Sequence, residues 1–134
     1  MLRRYKPLYL LLFTIIANCF ILQAQEKPTT IYLIGDSTMA DYTGDYDPDK
    51  DYMETRYPVT GWGQVFQQFF VDDSLSQIKN LIFGGQVIVD DRARGGRSTR
   101  TFFQEGRWRS VFENLQPNDI VIMQFGHNDG GHID

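Results

Sequence analysis

Residues 31–38 read IYLIGDST. Ile31 to Ile34 form an unbroken apolar run that stops at Gly35, Asp36 and Ser37. A short continuous run of this kind has the character of a parallel-sheet strand covered on both faces, since a half-exposed strand would alternate. Gly35 permits a tight turn at the end of the strand. Ser37 then stands at the strand tip, where a helix could begin, with its backbone N–H free to meet an oxygen of a bound substrate. A plainer role competes: Asp36 and Ser37 are also good helix caps.

Outward from this stretch the same punctuation recurs twice. Residues 87–90, VIVD, read as a second strand, followed by the loop DRARGGRST. Residues 120–125, IVIMQF, read as a third, followed by GHNDGG. Between them lie two helical stripes, Val65, Phe66, Phe69 and Phe70 after Gly61-Trp62-Gly63, and Trp108, Val111, Phe112 and Leu115, closed by Pro117-Asn118-Asp119. Residues 41–60 form a polar, turn-rich loop. Strands alternating with helices predict an α/β fold with a parallel sheet. Ligands bind such sheets outside the carboxyl ends of the strands, so the three loops should share one edge.

Each loop carries chemistry and a bland alternative. In RGGRST a glycine N–H could donate to an oxyanion, or Ser98 or Thr99 could simply cap a helix. In GHND, Asn128 has an amide that donates without titrating, and His127 and Asp129 could hold the loop by hydrogen bonds; any one of them also reads as an ordinary loop residue. The alternating Asp45, Asp47, Asp49 and Asp51 bring a calcium loop to mind, but Lys50 stands where its turn glycine belongs and Arg56 where its bidentate glutamate belongs. A solvated or substrate-facing loop fits better. Trp62 suits either a sugar-stacking platform or a cleft wall.

The chain has 134 residues, enough for one small domain. Its 42% hydrophobic and 14% aromatic content supplies a packed core and excludes a disordered chain. Residues 1–25 differ from the rest. Arg3, Arg4 and Lys6 precede an apolar stretch from Leu8 to Leu22, and small Ala24 comes before polar residues. That is the layout of a secretory signal peptide with cleavage near Ala24 or Gln25. A membrane anchor would want about 20 apolar residues, and this stretch is shorter and contains Asn18. A lipoprotein site at Cys19 is a weaker option, because Asn18 is bulkier than such a site prefers.

Without this segment ten Lys and Arg face 17 Asp and Glu, so the expected mature chain is acidic. That disfavours nucleic acid and anionic membrane as partners. With this acidic balance the six arginines from Arg92 to Arg109 are expected at the surface or in ion pairs. Cys19 is the only cysteine, so residues 26–134 contain no disulfide.

Taken together and in order, GDS, the glycine of GGRS and GHND resemble the first three blocks of the SGNH (GDSL-type) hydrolase superfamily. The segments IYLIGDSTMADY, TGWGQVF, RARGGRSTRTFFQEGRW and DIVIMQFGHNDGG are similar to its rhamnogalacturonan acetylesterase branch, over nearly all of residues 30–131. The resemblance implies a flavodoxin-like three-layer sandwich. It also implies an exported esterase that removes O-acetyl groups from a pectic polysaccharide without a cofactor or metal. By the same resemblance Ser37 is the nucleophile, and the N–H of Ser37, the N–H of Gly96 and the side-chain amide of Asn128 form the oxyanion hole.

One block is missing from the pattern. The family's last block is an Asp-x-x-His whose histidine is the base, whereas only three strands of about five are legible here. Residues 26–134 are therefore expected to be the N-terminal part of the domain. Asp129 and His132 share the Asp-x-x-His spacing, but base and oxyanion donor would then crowd onto one loop, and His132 is not expected to serve. Two other readings stand open: a non-catalytic relic or carbohydrate-binding fragment, and a lipase or thioesterase of the same superfamily. Nothing in the sequence specifies the sugar or the oligomeric state.

Overall fold

The computed structural model describes residues 27–43, Glu54 and residues 60–130. The expected signal segment, the acidic run Asp45 to Asp51 and His132 lie outside these residues.

The elements follow in the order β1 (Thr29–Gly35), α1 (Gly63–Phe66), a 3-10 turn (Gln67–Phe69), α2 (Asp72–Gln77), β2 (Val87–Asp91), α3 (Thr99–Gln104), α4 (Arg107–Asn114) and β3 (Ile120–Gln124). The sheet order is β2-β1-β3, and both pairings are parallel. Leu33 lies opposite Asp91 and Ile122, and Gly35 lies opposite Gln124. All three strands therefore end at one edge, as expected from the sequence.

The unbroken apolar run of β1 is explained by burial on both faces. Ile31 and Leu33 belong to a cluster with Met39, Ala40, Tyr42, Ile82, Val87 and Ala93, against which Trp62, Phe66, Phe70, Leu75 and Ile78 pack. Tyr32 and Ile34 point the other way, toward Phe102 of α3 and Val111 of α4, with Trp108, Leu115 and Phe125 around them. Helices thus cover both faces of the sheet, giving three layers. Phe102 is 2% exposed, and burying a ring of this size contributes about 3 kcal/mol.

The two helical stripes are only partly as the periodicity predicts. Phe66 and Phe70 pack edge to face at 5.0 Å. Phe69 is 62% exposed, because the chain tightens into the 3-10 turn and the helical face does not continue. In the second stripe Val111 is buried and Phe112 is 63% exposed. Gly106, at φ 73°, separates α3 from α4, a conformation that a residue with a side chain adopts with strain.

Ser98 caps α3 in a reciprocal box with Thr101, so the bland reading of that serine holds. Helix α2 has no apolar stripe to announce it. It carries Asp72 and Asp73 in its first turn, where the helix dipole favours negative charge. On the outer side of β2, the Gln67 side chain donates to the Val87 carbonyl (3.1 Å) and accepts from the Val89 N–H (2.8 Å). Among the described residues no helix is long and apolar enough to cross a membrane.

Candidate active site

No helix starts at Ser37. The chain leaves β1 through a hydrogen-bonded turn in which the Asp36 carbonyl accepts from the N–H groups of Met39 (3.2 Å) and Ala40 (3.1 Å). The Asp36 side chain is 1% exposed. Its Oδ1 accepts from the backbone N–H of Thr38 (2.9 Å) and from the Thr38 hydroxyl (2.8 Å). The sequence offered Asp36 as a helix cap; it caps the turn after β1 instead. Ser37 is half-buried between these two residues.

A second segment lies over this turn. The N–H groups of Gly61, Trp62 and Gly63 donate to the carbonyls of Ala40 (3.0 Å), Thr38 (3.1 Å) and Met39 (2.8 Å). The approach is close enough that a Cβ on Gly61 would stand 2.3 Å from the Met39 carbonyl carbon and 2.4 Å from the Ala40 nitrogen. This explains the Gly-Trp-Gly pattern, whose role the sequence left open. Trp62 between them is no free sugar platform. It is partly buried, meets Phe66 edge to face at 5.0 Å, and its indole N–H donates to Gln124.

Hydrogen bonds join the three loops in every pairing. The Arg94 N–H donates to the Gly35 carbonyl at 2.9 Å, linking the second loop to the first. The Asp36 N–H donates to the Gln124 carbonyl at 3.3 Å, linking the first to the third. The Asn128 amide donates to the Arg97 carbonyl at 3.2 Å, linking the third to the second. Asp129 Oδ1 accepts from the Thr99 N–H at 2.8 Å and from its hydroxyl. These bonds hold the Asp129 carboxyl below its ordinary range. The hydrogen-bonding role that the sequence allowed for Asp129 is thus filled, and it falls on the first turn of α3.

The donors matter most for chemistry. Gly96 is exposed at φ 75°. Among the described residues, neither its N–H nor that of Ser37 has an acceptor, and the Ser37 hydroxyl has no partner. The Asn128 amide spends one of its two hydrogens on Arg97 and keeps the other. Free donors on loops otherwise well bonded are what an anionic group requires.

Asp91 is a residue that sequence reasoning passed over. It ends β2, and its two carboxylate oxygens accept from the N–H groups of Ala93 and Asp41, both at 2.9 Å. It thereby ties the second loop to the exit of the turn after β1. Burial pushes its pKa up to about 6, with Asp41 and Asp90 adding to the rise and the two N–H bonds opposing it. A folded pKa above the unfolded value of about 3.9 means that the folded state holds the proton more tightly. The contribution of Asp91 to stability is then greatest below about pH 4 and declines as pH rises through 6. Relative to Asp91→Asn, the wild type should lose about 1–2 kcal/mol of stability between pH 4 and pH 7, a figure reduced for partial solvation. Denaturant midpoints of both proteins across this range measure it, and a constant difference would refute it.

Three of the arginines are ion-paired, as the sequence led us to expect. Arg92 meets Asp90 at 2.6 Å, and Arg97 and Arg107 both meet Glu105. Among the described residues no His, Cys, Asp and Glu cluster is arranged to hold a metal ion.

With this geometry the relatives can be read. A rhamnogalacturonan acetylesterase of Bacillus subtilis, RhgT, is 36% identical over 104 residues, or 78% of this chain. A rhamnogalacturonan acetylesterase of Emericella nidulans is 36% identical over the same length. The chain is a homologue of rhamnogalacturonan acetylesterases. It spans about a third of the length of these curated relatives, 35% and 30% respectively. The solved structure of the Bacillus subtilis protein YxiM superimposes with a TM-score of 0.53 at 24% identity, covering 78% of this chain and 23% of that one. That likeness bears on the fold, which is the α/β parallel-sheet fold of the SGNH hydrolases. No protein-family model matches the chain.

Proposed function

We propose that this chain carries the nucleophile and oxyanion hole of an exported serine esterase that removes O-acetyl groups from a rhamnogalacturonan-type pectic polysaccharide. The observation that carries this reading is the set of unspent donors, the N–H of Ser37, the N–H of Gly96 and one hydrogen of the Asn128 amide, on three mutually bonded loops beside a hydroxyl without a partner. The names of the relatives support the substrate class, and the signal-peptide layout of residues 1–25 supports export.

In this mechanism Ser37 Oγ attacks the acetyl carbonyl carbon while a base takes its proton. The carbonyl oxygen becomes an oxyanion, and the three donors hold it where charge develops. Collapse breaks the bond to the sugar oxygen, which leaves with the proton returned by the base. A water then repeats the sequence on the acetyl-serine and releases acetate. The base is not the Asp129–His132 pair. Thr99 already holds Asp129 Oδ1 against the first turn of α3, and a base on this loop would crowd the Asn128 donor.

The test is covalent. A serine-directed organophosphorus probe is applied to the protein, and the adduct is located by peptide mapping. We expect it on Ser37. Adduct on Ser74, Ser98 or Ser110 with Ser37 unmodified overturns the assignment. Release of acetate from acetylated rhamnogalacturonan, compared with acetylated xylan and a short-chain lipid ester, tests the substrate class.

A further inference from the structure

Four side chains form a directed chain of hydrogen bonds around Ser37. Trp62 Nε1–H donates to Gln124 Oε1. Gln124 Nε2 donates to Thr38 Oγ1 at 3.0 Å. The Thr38 hydroxyl donates to Asp36 Oδ1 at 2.8 Å. The order of donors is forced. An indole N–H only donates, and an ionised carboxylate only accepts. The single proton of Thr38 is therefore committed to Asp36, and its oxygen must accept from the Gln124 amide nitrogen. The amide oxygen is then left facing Trp62, where a donor stands.

Ser37 belongs to none of these bonds, yet both of its sequence neighbours do. Asp36 and Thr38 are held to each other, and Gln124 holds Thr38 from the neighbouring strand. Gln124 also receives the Asp36 N–H on its backbone carbonyl at 3.3 Å. A Cβ on Gly35 would lie 2.5 Å from that same carbonyl oxygen, so the two strand ends approach this closely only with glycine at position 35. The peptide that carries the Ser37 N–H and hydroxyl is thereby fixed from its two sides, with its own reactive groups unspent.

We infer that Gln124 is a positioning residue for Ser37, its side-chain amide orienting the nucleophile turn by donating to Thr38 while accepting from Trp62. The inference rests on the reading of Ser37 as the nucleophile. It has a specific chemical requirement: position 124 must present a donor to Thr38 and an acceptor to Trp62 together. An ionised glutamate supplies the acceptor alone and sets its oxygen against that of Thr38. A protonated glutamate supplies both.

The experiment compares wild type, Gln124→Glu and Gln124→Met. The rate of Ser37 organophosphorylation is read from pH 4.5 to 8.5, each variant expressed as a ratio to wild type at the same pH. Backbone amide exchange of Ser37 and Thr38 is measured in parallel. Gln124→Glu should label about tenfold more slowly than wild type at pH 8 and return to within about twofold at pH 4.5, by the loss and recovery of one hydrogen-bonded donor. Gln124→Met should be slow at every pH. The amide exchange ratios should follow the same two patterns. A Glu variant that follows the Met variant, or follows wild type, at all pH values overturns the inference. If wild-type Ser37 fails to label, the esterase reading fails, and the exchange ratios alone decide the positioning role.

Discussion

Replacing Ser37 with alanine is expected to lower acetyl-ester turnover by about 10⁶-fold, in any form of the protein that releases acetate. The argument is that nothing nearby can substitute. Ser37 is flanked by Asp36 and Thr38, and the Thr38 hydroxyl has its proton committed to Asp36 and its lone pair to Gln124. The proposed oxyanion donors remain in the variant, so the residual rate should stay above that of water. Asn128→Ala should fall by a smaller factor, about 10²–10³, because one donor of the hole is lost while attack continues. His132→Ala should turn over almost normally. The measurement is acetate release at saturating substrate. A His132 variant as dead as the Ser37 variant would make Asp129–His132 the dyad after all. A Ser37 variant within tenfold of wild type would remove Ser37 from the mechanism.

The largest expected loss of stability comes from Gly61→Ala. Its Cβ would meet the backbone of Met39 and Ala40 at 2.3, 2.4 and 2.5 Å, and backbone cannot rotate away as a side-chain tip can. Relief requires the Gly61–Gly63 segment to lift from the turn after β1, breaking hydrogen bonds to Thr38, Met39 and Ala40. We expect a cost of about 3 kcal/mol, at the upper end of overpacking effects. Gly130→Ala is the matched control, since its Cβ would meet nothing within 4 Å. Urea midpoints should separate the two variants clearly with similar slopes. Equal midpoints would mean that the two segments are not clamped together in solution.

What the sequence disclosed follows from how local each signal was. The strands β1, β2 and β3 were legible because each is a short run of apolar residues ended by polar or glycine residues. The three loops were legible because glycine and short polar residues mark where a strand stops. The helical stripes were legible in kind but not in extent. Phe69 and Phe112 fit the period and lie in the open, since period alone does not say where a short helix tightens or which side of it meets the sheet.

The contacts that shape the site were hidden for a different reason. Trp62 lies 62 residues from Gln124, and Gln124 lies 86 from Thr38. No local pattern marks such partners. Nothing local in the sequence sets Asp91 apart, and only the fold shows that two backbone N–H groups meet it. The pair of glycines around Trp62 was the one available hint, because Gly-x-Gly after a polar loop invites a search for closely approaching backbone.

Gln67 has a consequence for how the molecule behaves at high concentration. Among the described residues strand β2 is outermost in the order β2-β1-β3, and the Gln67 amide occupies the Val87 carbonyl and the Val89 N–H as a neighbouring peptide would. A strand from another molecule would have to displace both bonds before it could add there, and Ile88 between them is half in solvent. A single side chain thus closes a stretch of sheet border to polymerisation, a task that other proteins assign to a charged residue, a proline or a whole covering segment.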